Sequence, residues 1–135
     1  VEAGGSTCGV LAVTVLTSLD DAMLGEVWGR DRLDVEHEVL RLAELARSAG
    51  VHGIVCSGQE AEAVHRRHGE ALKLLVPGIR LPGDGPGDQA RIATPAKAAA
   101  AGATYIVLGR AITAAPDPRA AISEVTKSLI IGLDS

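Results

Sequence analysis

Val76-Pro77-Gly78-Ile79-Arg80 is the stretch on which the reading of this chain turns. The apolar run that leads into it, Leu72-Lys73-Leu74-Leu75-Val76, has the length and composition of a buried strand. The run breaks at Pro-Gly, delivers an arginine, and enters a loop holding Gly83, Gly85, Pro86 and Gly87 before Asp88-Gln89. Further along, a second apolar run, Tyr105-Ile106-Val107-Leu108, ends in Gly109-Arg110. Two successive strands thus each hand over to glycine and arginine at their C-terminal ends. In α/β proteins that edge is where ligands bind, and backbone N–H groups beside a guanidinium suit a phosphate. One such motif alone reads equally well as a surface loop with a solvated arginine. Its repetition on consecutive strands favours phosphate.

Outward from this stretch the chain alternates. Val10 to Leu16 is apolar and β-branched, and reads as a strand. Asp20 and Asp21 suit the start of a short helix through Met23, Leu24 and Val27. Asp34 suits the N-cap of a second helix, with Val35, Val39, Leu42, Ala46 and Ala49 on its apolar stripe and Gly50 past its end. In that helix Glu36, Glu38, Arg41 and Glu44 fall on the other faces. His52 to Cys56 is a short strand, and Gln59 to His68 a helix ended by Gly69. Thr94-Pro95 opens an alanine-rich helix closed by Gly102, with Pro where its missing N–H costs nothing. Pro116-Asp117-Pro118 precedes a last helix, Arg119 to about Ser128, with Ala121, Ile122 and Val125 inward. Leu129 to Ser135 reads as a strand. The alternation implies parallel strands with right-handed crossovers in a single domain, 1–135. Part of a (β/α)8 barrel and an open doubly wound sheet both fit. No G-x-G-x-x-G follows the first strand, which weakens the dinucleotide-binding version of the second.

Composition narrows the function. The 135 residues suffice for one core but fall short of a closed (β/α)8 barrel, which needs roughly 200 residues. Hydrophobic residues make up 47% of the chain, with one Trp, one Tyr and no Phe. The core is therefore aliphatic, as in parallel strands buried on both faces. A net charge of −4 offers no basic footprint for nucleic acid, and scarce aromatics leave no stacking platform for single strands. Two cysteines, Cys8 and Cys56, make no disulfide framework, so a reducing cytoplasm is expected, with Cys56 a buried thiol. Nothing reads as a signal peptide, and no apolar stretch reaches the roughly 18 residues of a membrane span. His52, His65 and His68 lack a third ligand of matching placement for a metal, and solvated or capping roles are expected for them; His37 reads as surface.

Five segments in order carry a family resemblance: Leu11 to Ser18 (LAVTVLTS), Val55 to Glu60 (VCSGQE), Val76 to Arg80 (VPGIR), Gly87 to Pro95 (GDQARIATP) and Ile106 to Thr113 (IVLGRAIT). Together they resemble orotidine 5′-phosphate decarboxylase of the bacterial type, over roughly residues 10–128. The resemblance places the chain as strands five to eight of a TIM (β/α)8 barrel. It implies a cofactor-free dimeric lyase that converts orotidine 5′-phosphate to UMP and CO2 in pyrimidine synthesis. It also implies substrate-binding roles for Thr17, Arg80, Gln89, Gly109 and Arg110. Of these, Thr17 lies by the pyrimidine, while Gln89 and the Gly109-Arg110 pair hold the phosphate.

The departure from the family concerns the reacting groups. Its Asp-x-Lys-x-x-Asp motif is not found in this sequence. Lys73, Lys97 and Lys127 lie in other contexts, Lys73 as an outward residue within a strand. No catalytic residue is therefore assigned in this chain. The tail LIIGLDS resembles the family's first strand, which would match Asp134 to a substrate-binding aspartate in a circularly permuted order. An irregular apolar terminus is the alternative. The expected partners are a small nucleotide, OMP or UMP, and a second copy or the other half of the barrel. Neither nucleic acid nor membrane is expected. The alternatives to the decarboxylase are a non-catalytic phosphate-binding half-barrel and a related sugar-phosphate lyase.

Overall fold

A computed structural model describes residues 8–31, 33–81 and 91–131. Four short strands form one sheet: β1 (Leu11–Val13), β2 (Gly53–Val55), β3 (Lys73–Val76) and β4 (Tyr105–Ile106). Between and after them lie α1 (Asp21–Trp28), α2 (Val35–Ser48), α3 (Ala61–His68), α4 (Pro95–Ala100), α5 (Arg110–Thr113) and α6 (Pro118–Ile131). All strand pairs are parallel and their order is sequential, β1-β2-β3-β4. A doubly wound sheet reverses its order at a switch point, and none occurs among these strands.

The helix boundaries follow their caps. Asp20 accepts from the Met23 amide (2.9 Å), Asp34 from that of His37 (3.2 Å), and the Thr94 hydroxyl from that of Lys97 (3.3 Å). Side chains extend the pairing beyond the short strands. The Thr14 hydroxyl donates to the Val55 carbonyl (2.7 Å), and His52 Nδ1 accepts from the Val10 amide (2.8 Å).

The two faces of the sheet differ. Right-handed crossovers in a sequential order place the helices on one side. On that side Ile54, Cys56, Leu74 and Val76 pack with Val39, Ala43, Val64 and Ala98 in one buried cluster. The opposite row runs through the partners Val13, Val55, Leu75 and Tyr105. Val55 and Leu75 are half-buried there, whereas Val13 and Tyr105, on the edge strands, are 61% and 55% exposed. Burial of the strands on both faces, expected from the aliphatic composition, is thus realised on one face only.

Four expectations need correction. Leu129-Ile130-Ile131 is the end of α6, not a strand, and the first-strand-like tail is not formed there. The stripe of buried Ala121, buried Val125 and half-buried Leu129 keeps an i, i+4 spacing, and no Gly or Pro interrupts it before Gly132. Asp134 lies outside the described residues. In α2, Glu38 is buried rather than on an outer face, held by Arg41 (2.7 Å) and Arg30 (3.6 Å), while Leu42 packs half-buried against the core as expected, beside the fully buried Ala43. Ile122 is 50% exposed, facing away from the Ala121–Val125 stripe. The His68 side chain is buried rather than solvated, with only 3% exposure, and lies 3.9 Å from Glu44 of α2.

Candidate functional site

The C-terminal ends of the strands gather the residues that sequence singled out. Leu75 pairs with Tyr105 and Val76 with Ile106, and the Val107 amide donates to the Val76 carbonyl (2.9 Å). The two chains therefore leave β3 and β4 side by side, and Arg80 and Arg110 each follow four residues beyond the paired Val76 and Ile106. Gly78 has a φ of 73°, a conformation that its missing Cβ permits just where the chain turns out of the sheet. Arg80 is buried; its amide donates to the Ala93 carbonyl (3.0 Å) and its Nη1 to the Ile79 carbonyl (3.0 Å). The Ala93 amide returns a bond to the Gly78 carbonyl (3.3 Å), so residues 78–80 and 93 are joined.

Arg110 is exposed at the head of α5. Among the described residues, a Cβ at Gly109 would meet no atom within 4 Å. What glycine provides is open approach to the backbone from outside, which a bound anion can use. A cavity of ≈ 400 Å³ lined in part by Leu81, Arg110 and Ala111 opens beside it, with Asp117 and Glu124 also on its wall. Asp117 accepts from the amides of Arg119 and Ala120 (3.0 Å each), so it also serves as the cap of α6. Thr17 is buried beyond the end of β1. Gln89 lies outside the described residues.

Sequence reasoning passed over Arg91, the residue that joins these parts. It is 5% exposed. Its Nη2 donates to the carbonyls of Val15 (3.2 Å) and Leu16 (2.9 Å), and its backbone amide to that of Thr17 (3.3 Å). Its Nη1 stands 2.6 Å from Glu60 Oε1, and Glu60 is 3% exposed. The other Glu60 oxygen, Oε2, accepts from the hydroxyl of Ser57 and from its amide (3.2 Å). Burying two ions costs several kcal/mol each unless they are paired and hydrogen-bonded; here the charges are paired and Arg91 Nη2 and Glu60 Oε2 are bonded, while Arg91 Nε has no hydrogen-bond partner among the described residues. The signal was present in part. Ser57-Gly58-Gln59-Glu60 has the S-x-x-E spacing of a capping box, and Glu60 makes the bond back to the Ser57 amide that such a box requires. Nothing in that spacing says that the second carboxylate oxygen meets an arginine 31 positions later.

Neighbouring ionisable groups are quiet. Burial, reinforced by the Glu60 charge and opposed by Arg91, pushes the Cys56 thiol up to about 12, so it is inert. Lys73 points out of the sheet to Glu70 (2.9 Å), which holds its pKa above the usual lysine value. Among the described residues, no three His, Cys, Asp or Glu side chains are placed to hold a metal ion. No described helix is long and apolar enough to cross a membrane.

Known proteins with the same pattern decide the lineage. Residues 1–125 match the model of the orotidine 5′-phosphate decarboxylase / HUMPS family. The chain belongs to that family. The orotidine 5′-phosphate decarboxylase of Thermobifida fusca is 50% identical over 129 residues, 96% of this chain and 54% of that protein. The enzyme of the same name from Idiomarina loihiensis is 45% identical over 120 residues, 89% of this chain and 51% of that protein. The crystal structure of orotidine 5′-phosphate decarboxylase from Lactobacillus acidophilus superposes with a TM-score of 0.72 at 38% identity, covering 94% of this chain and 51% of that one. The Sulfolobus solfataricus orotidine 5′-monophosphate decarboxylase, 21% identical with a TM-score of 0.59, shares the fold. This family member spans about half the length of the curated relatives it matches.

Proposed function

We propose that this chain is the phosphate- and pyrimidine-binding half of an orotidine 5′-phosphate decarboxylase, strands five to eight of a (β/α)8 barrel in one domain. The observation that carries the proposal is the register of β3 and β4, which delivers Arg80 and Arg110 to the same edge of a parallel sheet. Sequential strand order and helices on one face are the features of a barrel arc. The open row Val13, Val55, Leu75 and Tyr105 then faces the barrel interior, and the edges at β1 and β4 pair with further strands or a second copy.

In this reading Arg110 and Gln89 hold the phosphate dianion, with the backbone at Gly109 open to it, while Arg80 completes the substrate contacts. Thr17 lies by the pyrimidine. The phosphate is remote from the carbon that loses CO2. Its binding energy is used to fix the nucleotide against the reacting groups. Those groups, a lysine that protonates the carbon as CO2 leaves and its partner aspartates, come from the other half of the barrel. The test follows the loss of orotidine 5′-phosphate absorbance with the 135-residue chain alone and with the whole polypeptide that carries it. The chain alone is expected to match the uncatalysed rate and the whole polypeptide to turn over. Turnover by the chain alone would overturn the division of roles; none by the whole polypeptide would overturn the enzyme assignment.

A further inference from the structure

The order of the sheet poses a problem for a site that uses both Thr17 and Arg80. Thr17 follows β1 and Arg80 follows β3, and β2 lies between those strands. No strand pairing fixes one against the other. The segment Arg91 to Ala93 makes the missing link. At one end the Arg91 amide bonds the Thr17 carbonyl, and its guanidinium bonds the carbonyls of Val15 and Leu16. At the other end Ala93 exchanges bonds with Gly78 and Arg80. Beneath it, after β2, Glu60 takes the charge of Arg91 and is itself held by Ser57. The buried ion pair thus ties the ends of β1 and β2, and the backbone of Ala93 carries the same segment on to the end of β3.

The charge of Arg91 is committed to this task. The cavity of ≈ 380 Å³ that it lines is walled by Asp20, Asp21, Asp34, Glu36 and Glu60, which repel a phosphate. Arg91 is therefore no second phosphate ligand, although it lies on the same edge of the sheet as Arg110.

We propose that Glu60 and Arg91 are positioning residues that set the distance between the pyrimidine side of the site, at Thr17, and the end of β3 at Arg80, which the strand register places beside the phosphate-holding end of β4. The inference rests on the function proposed above. A nucleotide spans both sides, and its two ends bind together only if the spacing matches; each end alone is indifferent to it. Loosening the pair should weaken UMP and leave its fragments alone.

The experiment titrates UMP, uridine and ribose 5-phosphate into the whole polypeptide by calorimetry, with the folded fraction read from thermal melting. Two variants are used. Glu60→Gln combined with Arg91→Met removes both charges together, so no uncompensated ion is left buried. Arg91→Lys keeps the charge but cannot reach Glu60 and two carbonyls at once. For the double variant, UMP is expected to weaken by about 10-fold or more while uridine and ribose 5-phosphate stay within about 2-fold of wild type. Arg91→Lys should show a smaller loss in the same direction. A purely structural role would lower the apparent binding of all three ligands in proportion to the folded fraction. That result, or unchanged UMP affinity in a folded double variant, would overturn the inference. Wild-type protein that binds UMP no more tightly than uridine would overturn the proposed function itself, and the inference with it.

Discussion

Arg91 and Arg110 stand at the same edge of the sheet and differ in burial. Arg91 is 5% exposed, pairs with a buried carboxylate and bonds three carbonyls through its side chain and amide. Arg110 is exposed at the head of a four-residue helix, beside a glycine with open space over its backbone. The region after β1 and β2 is closed by internal polar bonds. The region after β4 is open. One guanidinium is buried within the frame, and the other stands at the surface. The difference teaches that an arginine at a ligand-binding edge is assigned by what surrounds it, not by its position.

The sharpest way to break this contrast is to remove the buried cation. Arg91→Ala leaves the buried Glu60 carboxyl without its partner, which should cost roughly 3–5 kcal/mol of stability in the whole polypeptide. Denaturant unfolding of wild type and variant measures it. A loss below about 1 kcal/mol would mean that water or a rearranged neighbour satisfies Glu60, and that the pair is no frame.

The converse substitution should separate affinity from stability. Arg110→Ala removes a charge-assisted bond of roughly 1.5–3 kcal/mol and should weaken UMP by about 10- to 150-fold. Being exposed, it should change stability by no more than about 1 kcal/mol. Calorimetry with a Lys127→Ala control reads the first quantity and melting the second. Equal UMP affinity in all three proteins would place the phosphate elsewhere.

The smallest effect concerns a buried base with no such compensation. The His68 imidazole has one nitrogen, Nε2, without a hydrogen-bond partner among the described residues and the other 3.9 Å from Glu44. Burial holds its pKa below the usual histidine value, with the Glu44 charge opposing. The folded state thus prefers the neutral ring, and the unfolded chain takes up the proton more readily. Stability should be flat above the ordinary histidine pKa of about 6.5 and fall as pH drops through it toward the lower folded value. Melting temperatures of wild type and His68→Leu between pH 8 and 5 test this. A difference between the two that does not change with pH would show that His68 stays neutral in both states or charged in both.

Much of the fold was legible because its signals are local. Asp20, Asp34 and Thr94 were recognisable as helix starts, since a capping side chain bonds an amide three residues away. The strands β1 to β4 stood out as apolar runs, and the glycine-arginine endings of two of them pointed to Arg80, Gly109 and Arg110. The limits were equally physical. The tail LIIGLDS was composed like a strand, yet Leu129 to Ile131 continue α6 because the helix before them supplies the nucleus and no breaker intervenes. An apolar run alone does not distinguish the two.

Sequence by itself determined the alternation of strands and helices, the caps, the two glycine-arginine strand ends and the family, since all of these depend on spacing along the chain. Tertiary structure decided what depends on distance through space. It showed that, among the described residues, the core lies on one face of the sheet and that Glu38 and the His68 side chain are buried. It also joined Glu60 to Arg91 across 31 positions, tying Thr17 to the segment that holds Arg80. Charges so far apart in the chain meet only because parallel strands bring their C-terminal ends to one edge. Whether an arginine there is drawn into the core or stays at the surface depends on which carboxylates and carbonyls the fold brings beside it, as Glu60 and the Val15 and Leu16 carbonyls are brought to Arg91.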